Sequence, residues 1–337
     1  MIGSRTWLRT HGAGRLLYRY VHWPREQLAL AHTYGWRLAA RAWWGQLAMK
    51  QAALRLAPIP AAAPDTRAIG PICFLTGPRF IHQTLFCAHS FARATATSAP
   101  FEFLSDGGMT EGNVAALLRL FPSAKIRLHG ELDVAVARAL PPEKFPVLHA
   151  LRKKFVLLRK LTDAMAGQQH YRMFFDSDML FWREPQDLLE RAAAHGALYM
   201  ADIADDGYTV SRQILREKFG VTAASAVNSG LVGLNAEKID WDLLERVCAF
   251  LVEAPGDKRL VEQTLWAVAL GAQSASPLPA HDYCVAVDPR QWEDAQNGAA
   301  PILLHYAWHA RLAYTAEEWR RYLDLIRSDH SMIRASK

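Results

Sequence analysis

From residue 70 onward the chain alternates short apolar runs with longer segments whose apolar positions recur every three or four residues. A short apolar run bounded by turn formers reads as a buried strand. A 3.6-residue period sustained over ten or more positions reads as a helix. These patterns predict strands over 72–76, 101–105, 125–129, 171–175, 197–201, 226–234 and 302–305. They predict helices over 81–94, 110–121 (capped by Thr110), 146–166, 213–219, 241–252, 259–270 and 316–327. Strands that alternate with helices imply an α/β fold, with a mainly parallel Rossmann-like sheet covered on both faces. Sites in such sheets gather beyond the carboxyl ends of the strands. Asp106, Asp176 and Asp178 fall at such ends; Thr76 closes the first strand and Ser177 separates the two later aspartates.

The first 60 residues break this alternation. They carry nine Arg or Lys against one acid, Glu26, and five of the eleven Trp: Trp7, Trp23, Trp36, Trp43 and Trp44. The stretch is helix-compatible, interrupted at Pro24, and ends in the Pro/Ala run at 58–64, which reads as a linker. The expected domains are therefore a basic arm over 1–64, an α/β domain over 65–330 and a tail over 331–337. A basic, Trp-rich helix suits an anionic membrane surface, and it also suits packing on the core or on another subunit. Nucleic acid is not expected, because no recognition motif accompanies the charge.

Length and composition, 337 residues with 51% hydrophobic, permit a full α/β core. Cys73, Cys87, Cys248 and Cys284 show neither metal-ligand spacing nor a disulfide framework, so reduced thiols are expected. No window reaches 18 apolar residues and the start lacks a signal-peptide core, so the expectation is a cytoplasmic protein, peripheral at most to the inner face of a membrane. Neither G-x-G-x-x-G nor G-x-x-x-x-G-K-[ST] is present.

The candidate chemistry starts at Phe175-Asp176-Ser177-Asp178. In an extended backbone residues i and i+2 share a side, so both carboxylates reach one point. Two hard oxygen donors suit Mg²⁺ or Mn²⁺, which in turn suits a diphosphate. Asn228-Ser229-Gly230 offers short donors and acceptors beside a residue that lets a ligand approach the backbone, a set able to read sugar hydroxyls. Glu262-Gln263 opens an otherwise apolar helix and suits sugar hydroxyls or an anomeric carbon. His305 can complete a Mn²⁺ site, with His309 as an alternative if the segment is helical. Arg311 offers a planar fork for phosphate oxygens.

In this order the pieces resemble glycosyltransferases of the GT-A fold, and in particular the retaining branch that includes glycogenin and bacterial lipopolysaccharide galactosyl- and glucosyltransferases. The resemblance covers about residues 70–325. It implies that Asp176, Asp178 and His305 hold the metal on a nucleotide-sugar diphosphate, with a uridine donor as the family expectation. It implies that Arg311 touches the diphosphate, that Gln263 flanks the anomeric carbon and that Glu262 binds sugar hydroxyls. Asn228 and Ser229 fall in the sugar-binding loop, and Lys154 or Lys160 contacts the donor. Thr76, Asp106 and Ser177 are counted with the donor-binding residues. The chain departs from the family's late His-Phe-x-Gly-x-x-Lys motif: His305-Tyr-Ala-Trp lacks its glycine, and Arg311 replaces its lysine.

The implied function is metal-dependent transfer of a hexose from a nucleotide-diphosphate sugar to a glycan, lipid or protein acceptor, with retention. The alternatives are a hydrolase using Asp-x-Asp as nucleophile and acid, and a non-catalytic module that binds a membrane or partner through the arm.

Overall fold

A computed structural model describes residues 18–58, 69–95, 100–205, 207–291 and 300–335. Trp7 and most of the 58–64 linker lie outside them. The chain divides into two compact units. One gathers residues 1–52, 287–294 and 306–337; the other holds 53–286 and 295–305.

In the first unit, helices α1 (Trp23–Tyr34) and α2 (Trp36–Ala53) meet at Gly35, whose φ of 90° is one that L side chains rarely adopt.

The second unit runs through β1 (Ile72–Thr76), α3 (Ile81–Thr95), β2 (Phe101–Ser105), α4 (Glu111–Leu120), β3 (Lys125–Arg127) and α5 (His129–Ala139). It continues with α6 (Pro146–Lys154), α7 (Arg159–Met165), β4 (Tyr171–Phe175), β5 (Met179–Phe181), α8 (Gln186–Ala193), β6 (Leu198–Ala201) and α9 (Arg212–Phe219). Then come β7 (Val227–Asn235), α10 (Trp241–Glu253), α11 (Val261–Ala272), β8 (Ser276–Pro277), β9 (Tyr283–Ala286) and β10 (Leu303–Tyr306). Thr110 caps α4 as expected: its hydroxyl accepts from Asn113 N, and the Asn113 side chain accepts from Thr110 N.

The main sheet has seven strands in the order β3-β2-β1-β4-β7-β6-β8. Pairings β1/β2, β2/β3, β1/β4 and β6/β8 are parallel, whereas β7 runs antiparallel to both β4 and β6. The expected mainly parallel sheet flanked by helices is thus present, with one reversed strand. That reversal matters for the site. It brings the start of β7 to the carboxyl end of β4, where Phe175 pairs with Leu231 and Asp176 N donates to Gly230 O at 2.7 Å. A second sheet orders β5-β10-β9, with β5 and β10 antiparallel and His305 paired to Met179.

Burial follows the sequence pattern. β1, β2 and β4 carry Phe74, Phe101, Phe103 and Phe175, whose rings meet at 5.5–5.9 Å between centroids. Apolar burial of this kind stabilises at about 25 cal/mol per Å² removed from water. The four cysteines are all free, as expected, and Cys73, Cys87 and Cys248 are buried.

One expectation needs correction. The long helix predicted over 146–166 is broken, because Phe155 is extended (φ −122°, ψ 102°) and a 3₁₀ turn at Val156–Leu158 follows. The break lets α7 sink into the fold, where all seven of its residues are buried, Arg159, Lys160 and Asp163 among them.

The compact units cut across the chain order. α12 (Trp319–Ala335) continues through position 331, and the arm shares its unit with residues 306–337. Within that unit Arg41 pairs with Glu317 at 2.9 Å. Tyr34 donates to Asp288 Oδ2 at 3.1 Å and bonds His309 Nδ1 at 2.9 Å. Gly45 lies so close to Thr315 O that a Cβ would collide with that carbonyl.

Candidate functional site

The bend between β4 and β5 carries Asp176, Ser177 and Asp178. The backbone here is not extended, so alternation along a strand is not what aligns the carboxylates. They converge because the chain turns from the main sheet into the small one, and because β10 delivers His305 beside the start of β5. Each of Asp176, Asp178 and His305 offers a ligand atom, and these atoms lie within 4.8 Å of one another. His305 Nε2 is 3.4 Å from Asp178 Oδ1 and 3.9 Å from Asp176 Oδ2.

The far side of the imidazole is fixed. His305 Nδ1 lies 3.0 Å from Asn228 Oδ1, an acceptor only, so Nδ1 is the donor of this pair and Nε2 is the nitrogen turned toward the carboxylates. The same Asn228 oxygen accepts from Gly230 N at 3.0 Å. A Cβ at Gly230 would sit 2.5 Å from His305 Cε1 and 2.7 Å from Nδ1, so only glycine lets the ring lie there. The Asn228-Ser229-Gly230 motif is therefore not a turn ahead of a strand. It lies inside β7, where the β6/β7 register jumps from Tyr199↔Val232 to Met200↔Asn228 and leaves Ser229, Gly230 and Leu231 without partners in β6. Such a bulge re-aims side chains. Ala226, just before it, holds φ at 45°, a strained value for alanine.

Lys160 reaches this site and Lys154 does not. Lys160 Nζ lies 2.6 Å from Asp176 Oδ1 and 2.8 Å from Oδ2. Burial alone would weaken its charge, but Asp176 and Glu262 outweigh that and raise its pKa. Lys154 is exposed, with its ammonium over the ring of Phe155 at 5.4 Å.

Glu262, at the start of α11, is buried and accepts from Ser229 Oγ at 3.1 Å. Burial pushes its pKa up to about 7 against the pull of Lys160, and Asp176 adds to the rise. Gln263 spends its amide protons on Gly207 O (2.9 Å) and Asp202 Oδ2 (3.3 Å), which leaves its carbonyl oxygen for a ligand. Asp202, directly after β6, was missed in the sequence. Its signal was a carboxylate closing an apolar run, the same signal that singled out Asp106 and Asp176.

The remaining candidates divide. Ser177 Oγ bonds Thr84 Oγ1 at 2.8 Å, and Thr84 bonds Thr76 Oγ1 at 2.6 Å. Thr76 is buried behind that pair, so it is placed to hold Ser177 rather than to meet a donor. Asp106 closes its own turn, accepting from Gly108 N at 3.0 Å, with its carboxylate against Gly77. Arg311, exposed at the start of the short helix Arg311–Ala313, belongs to the other unit, as does His309.

The donor set fits a hard divalent cation: two carboxylates, plus an imidazole whose Nε2 faces them. No family model and no curated protein matches this chain. Among solved structures it is similar to the WbbM bifunctional glycosyltransferase, at 13% identity and a TM-score of 0.48, over 77% of this chain and 51% of that one. The chain thus spans about half of that protein's length. It is also similar to mouse xyloside xylosyltransferase 1, at 13% identity and a TM-score of 0.44, over 70% of this chain and 97% of that one. A third similar structure is the galactosyltransferase LgtC with donor and acceptor sugar analogues, at 16% identity and a TM-score of 0.44, over 77% of this chain and 95% of that one. Likeness at this level reaches the general path of the chain, so the function is argued from the site. Fold and site together define an α/β protein with a carboxylate–imidazole cluster, a candidate cation site, at the carboxyl edge of its central sheet.

Proposed function

We propose that the protein is a glycosyltransferase that uses a nucleotide-diphosphate sugar and a divalent cation, and moves a hexose to an acceptor hydroxyl with retention. The observation that carries this reading is the convergence of Asp176, Asp178 and the Asn228-oriented His305 within 4.8 Å, at the sheet edge where α/β proteins bind ligands. Mg²⁺ or Mn²⁺ held by these three residues would supply positive charge for the departing diphosphate.

The chain's own groups divide the remaining work. Lys160, beside Asp176, offers its ammonium to the donor. Ser229 and Glu262 face the sugar: a hydroxyl and a carboxyl group are suited to bonding ring hydroxyls as donor and acceptor. Gln263 presents a carbonyl oxygen, a weak nucleophile but a fitting neighbour for positive charge developing at an anomeric carbon. The acceptor hydroxyl then passes its proton to the leaving phosphate on the same face, so no strong base is required. A uridine nucleotide as donor follows from the resemblance.

The test is a screen of nucleotide sugars by thermal shift and by donor hydrolysis, each with MnCl₂ and with EDTA. A donor that raises the melting temperature only with Mn²⁺, and is hydrolysed only then, is expected. Release of phosphate from simple monoesters, or no nucleotide-sugar binding with either divalent ion, would overturn the reading.

A further inference from the structure

Helix α2 carries two apolar stripes where an ordinary surface helix carries one. The first, Ala42, Gly45 and Met49, is buried, with Gly45 against the backbone of Thr315 and Ala316. The second runs down the opposite side. At about 100° per residue, Trp36, Ala40, Trp43 and Leu47 fall within about 60° of arc, and Trp44 lies about 40° beyond it. These are exposed: Trp36 by 64%, Trp44 by 62%, Trp43 and Leu47 by 48% each. Lys50 flanks the stripe on one side and Arg37 on the other; Arg55 follows the helix, and all three are exposed. Arg41, further round, is paired with Glu317.

Three exposed indoles on one helix are an unusual burden for a surface in water. Their flanks decide the occupant. α2 itself contains no acidic residue, so an acidic, apolar-backed partner is complementary to it. Indoles sit at the boundary between headgroups and acyl chains, and Lys and Arg extend to the phosphates. Among the described residues no helix is long and apolar enough to cross a membrane, so the fitting geometry is a helix lying flat on one.

We infer that the exposed Trp36–Trp43–Trp44–Leu47 face of α2 docks the protein on an anionic lipid bilayer. This does not depend on the transferase reading, since none of these residues belongs to the proposed site. Deleting the arm is not a clean test, because its other stripe is buried.

The experiment uses the full chain, with sedimentation on phosphatidylcholine vesicles containing about 30% phosphatidylglycerol and on phosphatidylcholine alone. Wild type should bind the anionic vesicles, with a blue shift of Trp emission and weaker binding at high salt. The variant W36S/W43S/W44S, changed only at exposed positions, should bind at least about tenfold more weakly. R37E/K50E/R55E should lose a similar factor and most of the salt dependence. Circular dichroism and donor hydrolysis in solution should be unchanged in both. Indifference of wild type to anionic vesicles, or full binding by the Trp variant, would overturn the inference. So would a dimer in light scattering that the Trp variant abolishes, which would assign the face to a second copy.

Discussion

Arg159 and Lys160 are neighbours on one short helix, yet they serve two networks of opposite character. Arg159 joins Arg152, Asp163, Asp133 and His129. Arg152 grips Asp163 through two bonds of 2.6 and 2.9 Å and reaches Asp133 at 2.7 Å, and Arg159 reaches Asp133 at 2.9 Å. Two guanidiniums face two carboxylates, and Thr162 adds a hydroxyl to Asp163 at 2.9 Å. That network is closed: its charge balances without any visitor. Lys160 joins Asp176, Asp178, Glu262 and His305, where one ammonium faces two aspartates and a third carboxyl group poised near neutrality. That network is open, and what it lacks is positive charge. The pair contrasts a charge cluster that balances within the fold with one that carries an excess of carboxylates, as the proposed cation site requires.

The largest expected effect lies on the closed side. Asp163→Asn leaves two buried guanidiniums, Arg152 and Arg159, sharing one half-exposed carboxylate, Asp133. Breaking a buried pair by removing one member costs about 3–5 kcal/mol. Urea unfolding should show that loss, while Mn²⁺ affinity of the folded variant changes by less than about tenfold. A stability loss under about 1 kcal/mol would mean that the closed network is not what holds α7.

On the open side, Asp178→Asn keeps shape and removes charge. Donor turnover should fall by at least about a hundredfold, as when one charge-stabilising group is deleted elsewhere. Melting temperature without metal should hold or rise, because the cluster loses an uncompensated negative charge. Normal Mn²⁺-dependent turnover would show that Asp178 is not a metal ligand.

The open network was the more legible of the two in the sequence. Asp176, Asp178 and His305 stand out as polar residues at the ends of apolar runs, and the alternating pattern predicted the sheet. Their convergence followed from contacts that leave no local pattern: the bend at 176–178, the reversed β7 and the pairing of His305 with Met179. The break at Phe155 was hidden because helical periodicity runs through it, and that break is what selects Lys160 over Lys154. Similarly, charge and tryptophan marked the arm, but its partner Glu317 stands 276 positions from Arg41. No windowed pattern carries such a pairing.

Lys160→Met separates the metal from the donor. Without the ammonium, Asp176 is freer to ligate, so Mn²⁺ alone should bind as well as or better than in wild type. Nucleotide-sugar affinity should fall by about 1.5–3 kcal/mol, the range for hydrogen bonds to charged groups. Isothermal titration of each ligand resolves the two. Parallel losses of both would mean that Lys160 holds the site together rather than serving the donor.

The smallest effect tests how close to neutrality the open network sits. Glu262 has a folded-state pKa of about 7, raised from 4.5. A carboxyl group raised in this way binds its proton more tightly in the folded state than in the unfolded one. Its stabilising contribution is therefore complete below pH 4.5 and is lost as pH rises through 7. Between pH 5 and 7, in chelator, wild type should lose about 2 kcal/mol from this group, at 1.36 kcal/mol per pKa unit. Glu262→Gln cannot titrate, so the difference between the two stability curves isolates that slope from every other group. Added Mn²⁺ places positive charge near Glu262, favours its ionised form and should shrink the difference. Parallel curves for wild type and variant would mean that Glu262 is already ionised at pH 5, and that Lys160 satisfies both Asp176 and Glu262. The open network would then be one negative charge richer than its geometry suggests.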